Sequence, residues 1–382
     1  MRITAVESFA VAPRWVFVKI STDEGVAGWG ESSLEGHSEA VTGAIAALRE
    51  VLVGADPMRI EHHWQTMTKG NFYRGGAVLA SAVSGLDQAL WDISGKALGV
   101  PVHVLLGGPV RDRVRVYGWV GGDRPAQVAE HVAAQVEAGL TAIKMNGSAQ
   151  LTHLPSLAES SEVFDRARVA REVLGPDHNL AIDFHGRVSA PAARRLIAGL
   201  AEYHPLFVEE PVLPENNHAT LARLVAGTDV PIATGERLFS RGEVLPVLQA
   251  GIAVIQPDVA HAGGISEVRR IAALAETFDV AVAPHCPLGP IALAACLQVD
   301  FAIPNFLIQE QSLGIHYNVS TDLLDYLIDP GVFDFADGYV KRPLGPGLGI
   351  EVDEAAVRHA AERFDGWRTP SWHHPDGSFA EW

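Results

Sequence analysis

Cysteine is nearly absent from this chain: Cys286 and Cys296 are the only two in 382 residues. A disulfide-stapled secreted scaffold is therefore excluded. The pair reads as reduced core thiols of a cytoplasmic protein. Ten residues apart on a loop-to-helix segment, they are expected to point away from each other. Positive charge is also scarce, with 29 Lys and Arg against 46 Asp and Glu and a formal net charge of −17. A surface that acidic repels nucleic acid and anionic lipid, so neither is expected as a partner. An anionic substrate would be disfavoured too, unless a cation sits in its site. No apolar run reaches the roughly 18 residues of a membrane span. The opening MRITAVESFAV has no long apolar core after a basic start, so no secretory signal is expected. No low-complexity linker or repeat beyond a β/α unit is visible.

What is present falls into three parts. Residues 1–113 read as an α+β capping domain. Strand-like runs RITAVESFAV, RWVFVKIST and AGWGESS precede a helical region. There SAVSGLDQALWDISGKALG places Ala82, Leu86, Ala89, Leu90, Ile93 and Leu98 on one stripe, and Gly99 and Pro101 stop it. Over 114–335 eight β-rich runs alternate with helical stretches at a spacing of roughly 25 residues, the pattern of a parallel (β/α) barrel. The last helix slot is irregular, so a TIM-like barrel of modified (β/α)7β form is expected. Residues 336–382 read as a tail returning to the capping domain.

Reactive groups of such barrels cluster at the C-terminal strand ends. Those ends carry Lys144 and Asn146, then Asp183 and His185, Glu209, Glu236, Asp258, His285 and Glu310. Asp183, Glu209 and Glu236 are 26 and 27 residues apart, so they fall on neighbouring strands. Three convergent carboxylates raise one another's pKa and call for a cation. Hard oxygen donors suit Mg2+ or Mn2+ rather than zinc. Glu209 and Glu210 are adjacent and face opposite ways, so only one enters the site, and alternation alone leaves the choice open. Asp183 and His185, two apart, are expected on one side of a strand. Asp258 and His285 end neighbouring strands, and an Asp on one imidazole nitrogen makes the other a base.

The chain resembles the enolase superfamily, mandelate racemase subgroup, over essentially its whole length. The resemblance rests on LDQALWDISGK, DFHGRVSAP, FVEEPV, GERLFSR, QPD, HAGGI, APHCPLGP and QEQSLGIHYN. DFHGR, PHCPLGP and GIHYN point more narrowly to the galactonate-type sugar acid dehydratases. The resemblance implies Mg2+ on Asp183, Glu209 and Glu236, and His285, oriented by Asp258, as the base. It implies His185 as the acid for the leaving hydroxyl, with Glu310 on the substrate carboxylate. Arg14, Trp15, Lys144, Asn146, Arg187 and His316, with the loop at 71–76, are expected to meet the sugar acid. A homo-oligomer is implied as well.

Many relatives carry Lys-x-Lys at the second strand end, where this chain has Lys144-Met145-Asn146. Asn cannot be a base, so a symmetric two-base racemase is disfavoured against one-way dehydration. A 2-hydroxy acid racemase or epimerase, dehydration of another sugar acid, and a non-catalytic binding protein are the alternatives. The loop GESSLEGHSEAV is expected to face the distal carbons of the substrate.

Overall fold

The computed structural model describes residues 1–122, 124–214, 217–374 and 376–380. Three antiparallel strands open the chain: β1 (Ile3–Val11), β2 (Trp15–Thr22) and β3 (Ala27–Glu31). Helices α1 (Ser38–Leu52), α2 (Ile60–Lys69) and α3 (Ala77–Leu98) cover the sheet, and the short α4 (Val102–Leu105) leads out of this cap. The expected stripe on α3 is buried except at its last member, Leu98, which is 57% exposed because the helix ends there, beyond the sheet. Gly28 and Gly30 let α3 lie directly on β3. A Cβ at either would collide with the carbonyls of Ala89 and Gly85.

Eight parallel barrel strands follow: β4 (Arg113–Val120), β5 (Ala142–Asn146), β6 (Asn179–Asp183), β7 (Phe207–Glu209), β8 (Ile232–Thr234), β9 (Val254–Ile255), β10 (Ala281–Val282) and β11 (Gln309–Glu310). Neighbours pair in chain order, and β11 closes the ring on β4. Helices α5 (Pro125–Glu137), α6 (Leu157–Leu174), α7 (Ala190–Leu200), α8 (His218–Val225), α9 (Arg241–Gln249), α10 (Gly264–Glu276) and α11 (Pro290–Ala302) lie between them. No α-helix follows β11 before the tail, so the barrel is of the expected (β/α)7β form. Among the described residues no helix is long and apolar enough to cross a membrane.

The tail returns in steps. Short strands β12 (Phe335–Ala336) and β13 (Tyr339–Lys341) extend the barrel sheet beside β4. Helix α12 (Glu354–Ala361) then reaches the cap, where Glu354 pairs with Lys19 at 2.7 Å and Arg358 with Glu7 at 3.0 Å. A last hairpin, β14 (Trp372–His373) and β15 (Phe379–Ala380), ends against the barrel loops.

Two buried carboxylates of the cap hold it to the barrel. Asp87 on α3 accepts from the Ser266 N–H (2.9 Å) and hydroxyl (2.6 Å) at the start of α10. Glu31, at the end of β3, accepts from the N–H groups of Gly289 (2.8 Å) and Ala292 (2.9 Å) at the start of α11. Helix N-termini leave such donors unpaired, and an anion there is favourable. Cys286 and Cys296 correct an expectation, because their buried thiols lie close enough to act on each other. The loop before Pro290 folds Cys286 back onto α11, so helical phase does not govern the pair. Burial pushes both thiols up, which leaves them unreactive.

Burial also pushes Glu31 and Asp87 up to about 7. A carboxyl raised in the folded state contributes stability that is present below its unfolded pKa and lost as pH rises through the folded one. The urea midpoint is therefore expected to fall between about pH 5 and pH 8, and to fall less in Asp87→Asn. Equal slopes in the two proteins would count against this linkage.

Candidate active site

One apolar layer fixes the site. Tyr117, Ala142, Ala181, Phe207, Ala233, Val254, Ala283 and Ile308, one from each strand line, pack together inside the barrel. One pleat further toward the C-terminal ends, two residues on, the inward positions are Trp119, Lys144, Asp183, Glu209, Gly235, Gln256, His285 and Glu310. The floor is apolar, and the ring above it carries the chemistry.

Lys144 sits among the carboxylates. Its Nζ is 2.8 Å from Glu209, 2.9 Å from Glu310 and 3.5 Å from Asp183, and the residue is 1% exposed. Burial alone would lower its pKa, but Glu209 and Glu310 hold it well above the ordinary value. Expected at the substrate, it stands among the carboxylates and counters their charge.

Asp183, Glu209 and Glu236 each offer an oxygen, and these oxygens lie within 4.8 Å of one another. One buried oxygen of each, Asp183 Oδ2, Glu209 Oε2 and Glu236 Oε2, accepts no hydrogen bond. Buried acceptors are ordinarily paired, so three converging orphans fit a bound cation. Burial, reinforced by Asp183, pushes Glu209 well above the carboxylate range. Burial would raise Glu236 as well, but His285 and His185 hold it down at about 2.

Glu209, and not Glu210, brings an oxygen to the group of three, and Glu210 pairs with Arg237 at 3.0 Å. Glu236 reaches the site against strand alternation. Gly235 holds the inward position, and its φ of +141° turns the chain so that Glu236 faces in.

The two histidines flank the trio differently. His285 Nδ1 donates to Asp258 Oδ2 at 2.7 Å, and Nε2 lies 3.4 Å from Glu236. Burial would lower this imidazole, but Glu236 and Asp258 hold it well above its ordinary value. His185 was expected on the strand beside Asp183. Strand β6 ends at Asp183, and His185 adopts a left-handed backbone with φ of +50°. Such a conformation in a non-glycine residue costs roughly 1–3 kcal/mol. Its Nε2 still lies 3.3 Å from Asp183, its ring meets Trp119 edge-on at 5.9 Å, and its buried Nδ1 has no partner. Burial lowers its pKa.

Glu310 also touches the ring of charges, with one oxygen on Lys144 and the other accepting the Cys286 N–H at 2.9 Å. Asn146 pairs in register with Asp183, and its buried Oδ1 has no partner.

Residues 127–356 match the enolase C-terminal domain-like family, and residues 3–107 the N-terminal domain of the mandelate racemase / muconate lactonizing enzymes. The chain belongs to the enolase superfamily. It is 51% identical to a D-galactonate dehydratase of Variovorax paradoxus and 52% identical to one of Ralstonia nicotianae, with 100% of each chain covered in both cases. Among solved structures, an enolase from Agrobacterium radiobacter, a candidate galactarate dehydratase with sodium and L-malate bound, superposes with a TM-score of 0.91. It is 37% identical over 100% of both chains. A candidate dehydratase from Mesorhizobium loti superposes with a TM-score of 0.88 at 33% identity, over 94% of this chain and 98% of that one. This member of the enolase superfamily is an enzyme, a carbon–oxygen lyase of the hydro-lyase kind.

The enolase-superfamily cap contributes less openly to the mouth than its loops promised. Trp15 is fully buried against Phe17 and Tyr326, because β2 already begins there, and it offers the substrate no surface. Arg14 is 2% exposed, and its guanidinium donates to Glu35 (2.5 Å), Asn318 (2.8 Å) and the Pro287 carbonyl (2.8 Å). It latches the 31–40 loop to two barrel loops. In the 71–76 loop Phe72 and Tyr73 stand out in solvent. Arg187 lies under the Trp372 ring of the tail at 5.2 Å, and His316 is exposed next to Gly121. Trp119 and Arg237 were missed. Trp119 was findable by counting two residues on from Tyr117 in the first barrel strand.

Two outcomes are expected. Glu209→Gln lowers divalent-cation affinity at least about tenfold in calorimetric titration, while Glu210→Gln changes it a few-fold at most. Lys144→Met, which strands buried carboxylates, lowers stability by about 3–5 kcal/mol in urea, and a saturating divalent cation restores part of the loss.

Proposed function

We propose that the chain is a Mg2+-dependent sugar acid dehydratase whose substrate is D-galactonate and whose product is 2-keto-3-deoxy-D-galactonate. The observation that carries this reading is the inequality of the two histidines. His285 has its Asp258 at 2.7 Å and is built as a base; His185 has no such carboxylate on its outer nitrogen. A racemase needs a base on each face of the α-carbon, and the position that would supply the second is Asn146. The full-length likeness to enzymes named D-galactonate dehydratase supports the substrate.

Asp183, Glu209 and Glu236 would hold the Mg2+, which supplies Lewis-acid stabilisation of negative charge on the substrate carboxylate. His285 Nε2 removes the C2 proton, and the electron pair moves into the carboxylate to give an enediolate. Asp258 keeps the Nδ1 proton in place, so Nε2 is the basic nitrogen. Lys144 fixes Glu209 and Glu310 around that developing charge. The enediolate collapses, the C3–O bond breaks, and His185 Nε2 donates a proton to the leaving hydroxyl, which departs as water. The enol then takes a proton at C3 and becomes the 2-keto acid. Trp119 shields the His185 side from solvent.

A panel of aldonic acids with Mg2+, read as 2-keto-3-deoxy acid, tests the reading. D-galactonate is expected to turn over, and His185→Asn and His285→Asn each to lose on the order of a hundredfold or more. Near-normal dehydration by either variant would overturn the roles. Turnover of a different acid alone would overturn the substrate and keep the chemistry. Asp258 raises His285, so Asp258→Asn is expected to move the acidic limb of kcat/KM to lower pH while reducing its plateau.

A further inference from the structure

The orientation of His285 has a visible cause in Asp258; that of His185 needs another. Its Nδ1 carries no hydrogen bond, and the oxygen nearest its Nε2, Asp183 Oδ2, belongs to the cation trio. The ring packs edge-on against Trp119 at 5.9 Å, and the direction from which it enters is set by its left-handed backbone. Two contacts clamp that backbone. The His185 N–H donates to Asp183 Oδ1 at 2.8 Å, and the His185 carbonyl accepts from the Arg237 guanidinium at 2.7 Å. Arg237 Nε in turn lies 3.0 Å from Glu210, which is buried, and the Glu210 carbonyl accepts the N–H of Gly186 at 2.8 Å. The two cation-site glutamates are thus each followed by a member of this clamp, Glu209 by Glu210 and Glu236 by Arg237, whose Nε also lies 3.8 Å from Glu236 Oε1. These followers meet across the β7 and β8 strand ends and close on the loop that carries His185.

We propose that Arg237, held by Glu210, is a positioning residue that sets the backbone of His185 and so aims its imidazole at the leaving hydroxyl. The proposal rests on the reading of His185 as the acid. Arg237 touches neither substrate nor reacting atoms in this role. A planar guanidinium suits it, because one edge serves the carboxylate and another the carbonyl.

Without the clamp, C2 proton removal by His285 persists while hydroxyl loss slows. In deuterium oxide, Arg237→Gln is expected to lower kcat for dehydration about 10- to 100-fold with KM changed little. The C2 deuterium in recovered substrate, per keto acid formed, rises above wild type. Arg237→Lys recovers part of the rate, and Glu210→Gln, which keeps the guanidinium, moves both readouts the same way but less. Unchanged kcat, or equal losses of exchange and dehydration, would overturn the proposal. A second readout stands apart from substrate identity. In ring-labelled histidine spectra the His185 signal, assigned by its loss in His185→Asn, shifts or broadens in Arg237→Gln and Glu210→Gln, while that of His285 holds. An unmoved His185 signal sinks the proposal whatever the reaction. Absence of keto acid from the wild type would instead sink the reading of function and leave the spectra to decide this one.

Discussion

Everything at the barrel mouth is arranged around one charge imbalance. Asp183, Glu209 and Glu310 lie within 3.5 Å of the single ammonium of Lys144, and Glu236 joins Asp183 and Glu209 from the next strand. Two like charges about 4 Å apart repel by about 4 kcal/mol at an effective dielectric of about 20. Lys144 offsets part of that repulsion, and the protein holds the rest as unpaired oxygens aimed at one point. Relieving the imbalance by protonation would abolish the site; relieving it with a divalent cation completes it. A cation held there would let a chain with a formal charge of −17 receive an anion, as the proposed function requires.

The same strain explains why the cap is attached as it is. A cluster of buried charge needs rigid strand ends, and the loops after β9 and β10 carry Asp258 and His285. The helices that follow those loops, α10 and α11, are the two whose N-termini are anchored by cap carboxylates, Asp87 and Glu31. Arg14 adds a third tie, to Pro287 and Asn318. The cap thus steadies His285 and Asp258 as well as covering the mouth.

Much of this was legible in the residues. Eight strand runs, their spacing and the acids at their ends give the barrel and its reactive edge, because a parallel barrel puts every C-terminal strand end on one face. Two expected residues reach the site by routes that alternation does not describe. Glu236 enters through the turn at Gly235, and His185 through a left-handed residue. A period of two extended past the last strand residue cannot anticipate either. The Cys286–Cys296 contact was lost in the same way, since the loop and not the helix decides where Cys286 lies. Trp15 was misread for a different reason. Position near a turn says nothing about exposure when the turn is tight and the next strand starts at once.

The inequality of the histidines follows from how each is held. His285 is oriented through its side chain, by a carboxylate that also raises its basicity. His185 is oriented through its main chain, which leaves its outer nitrogen without a carboxylate and its pKa lowered by burial. A base is improved by a charged partner, whereas a proton donor is weakened by one. As the proposed donor, His185 takes its direction from its backbone, with Asp183 at 3.3 Å from Nε2 as a charged neighbour shared with the cation trio. Because Glu210 and Arg237 each follow a cation-site carboxylate directly, the strand ends that gather the negative charge also fix the donor beside it.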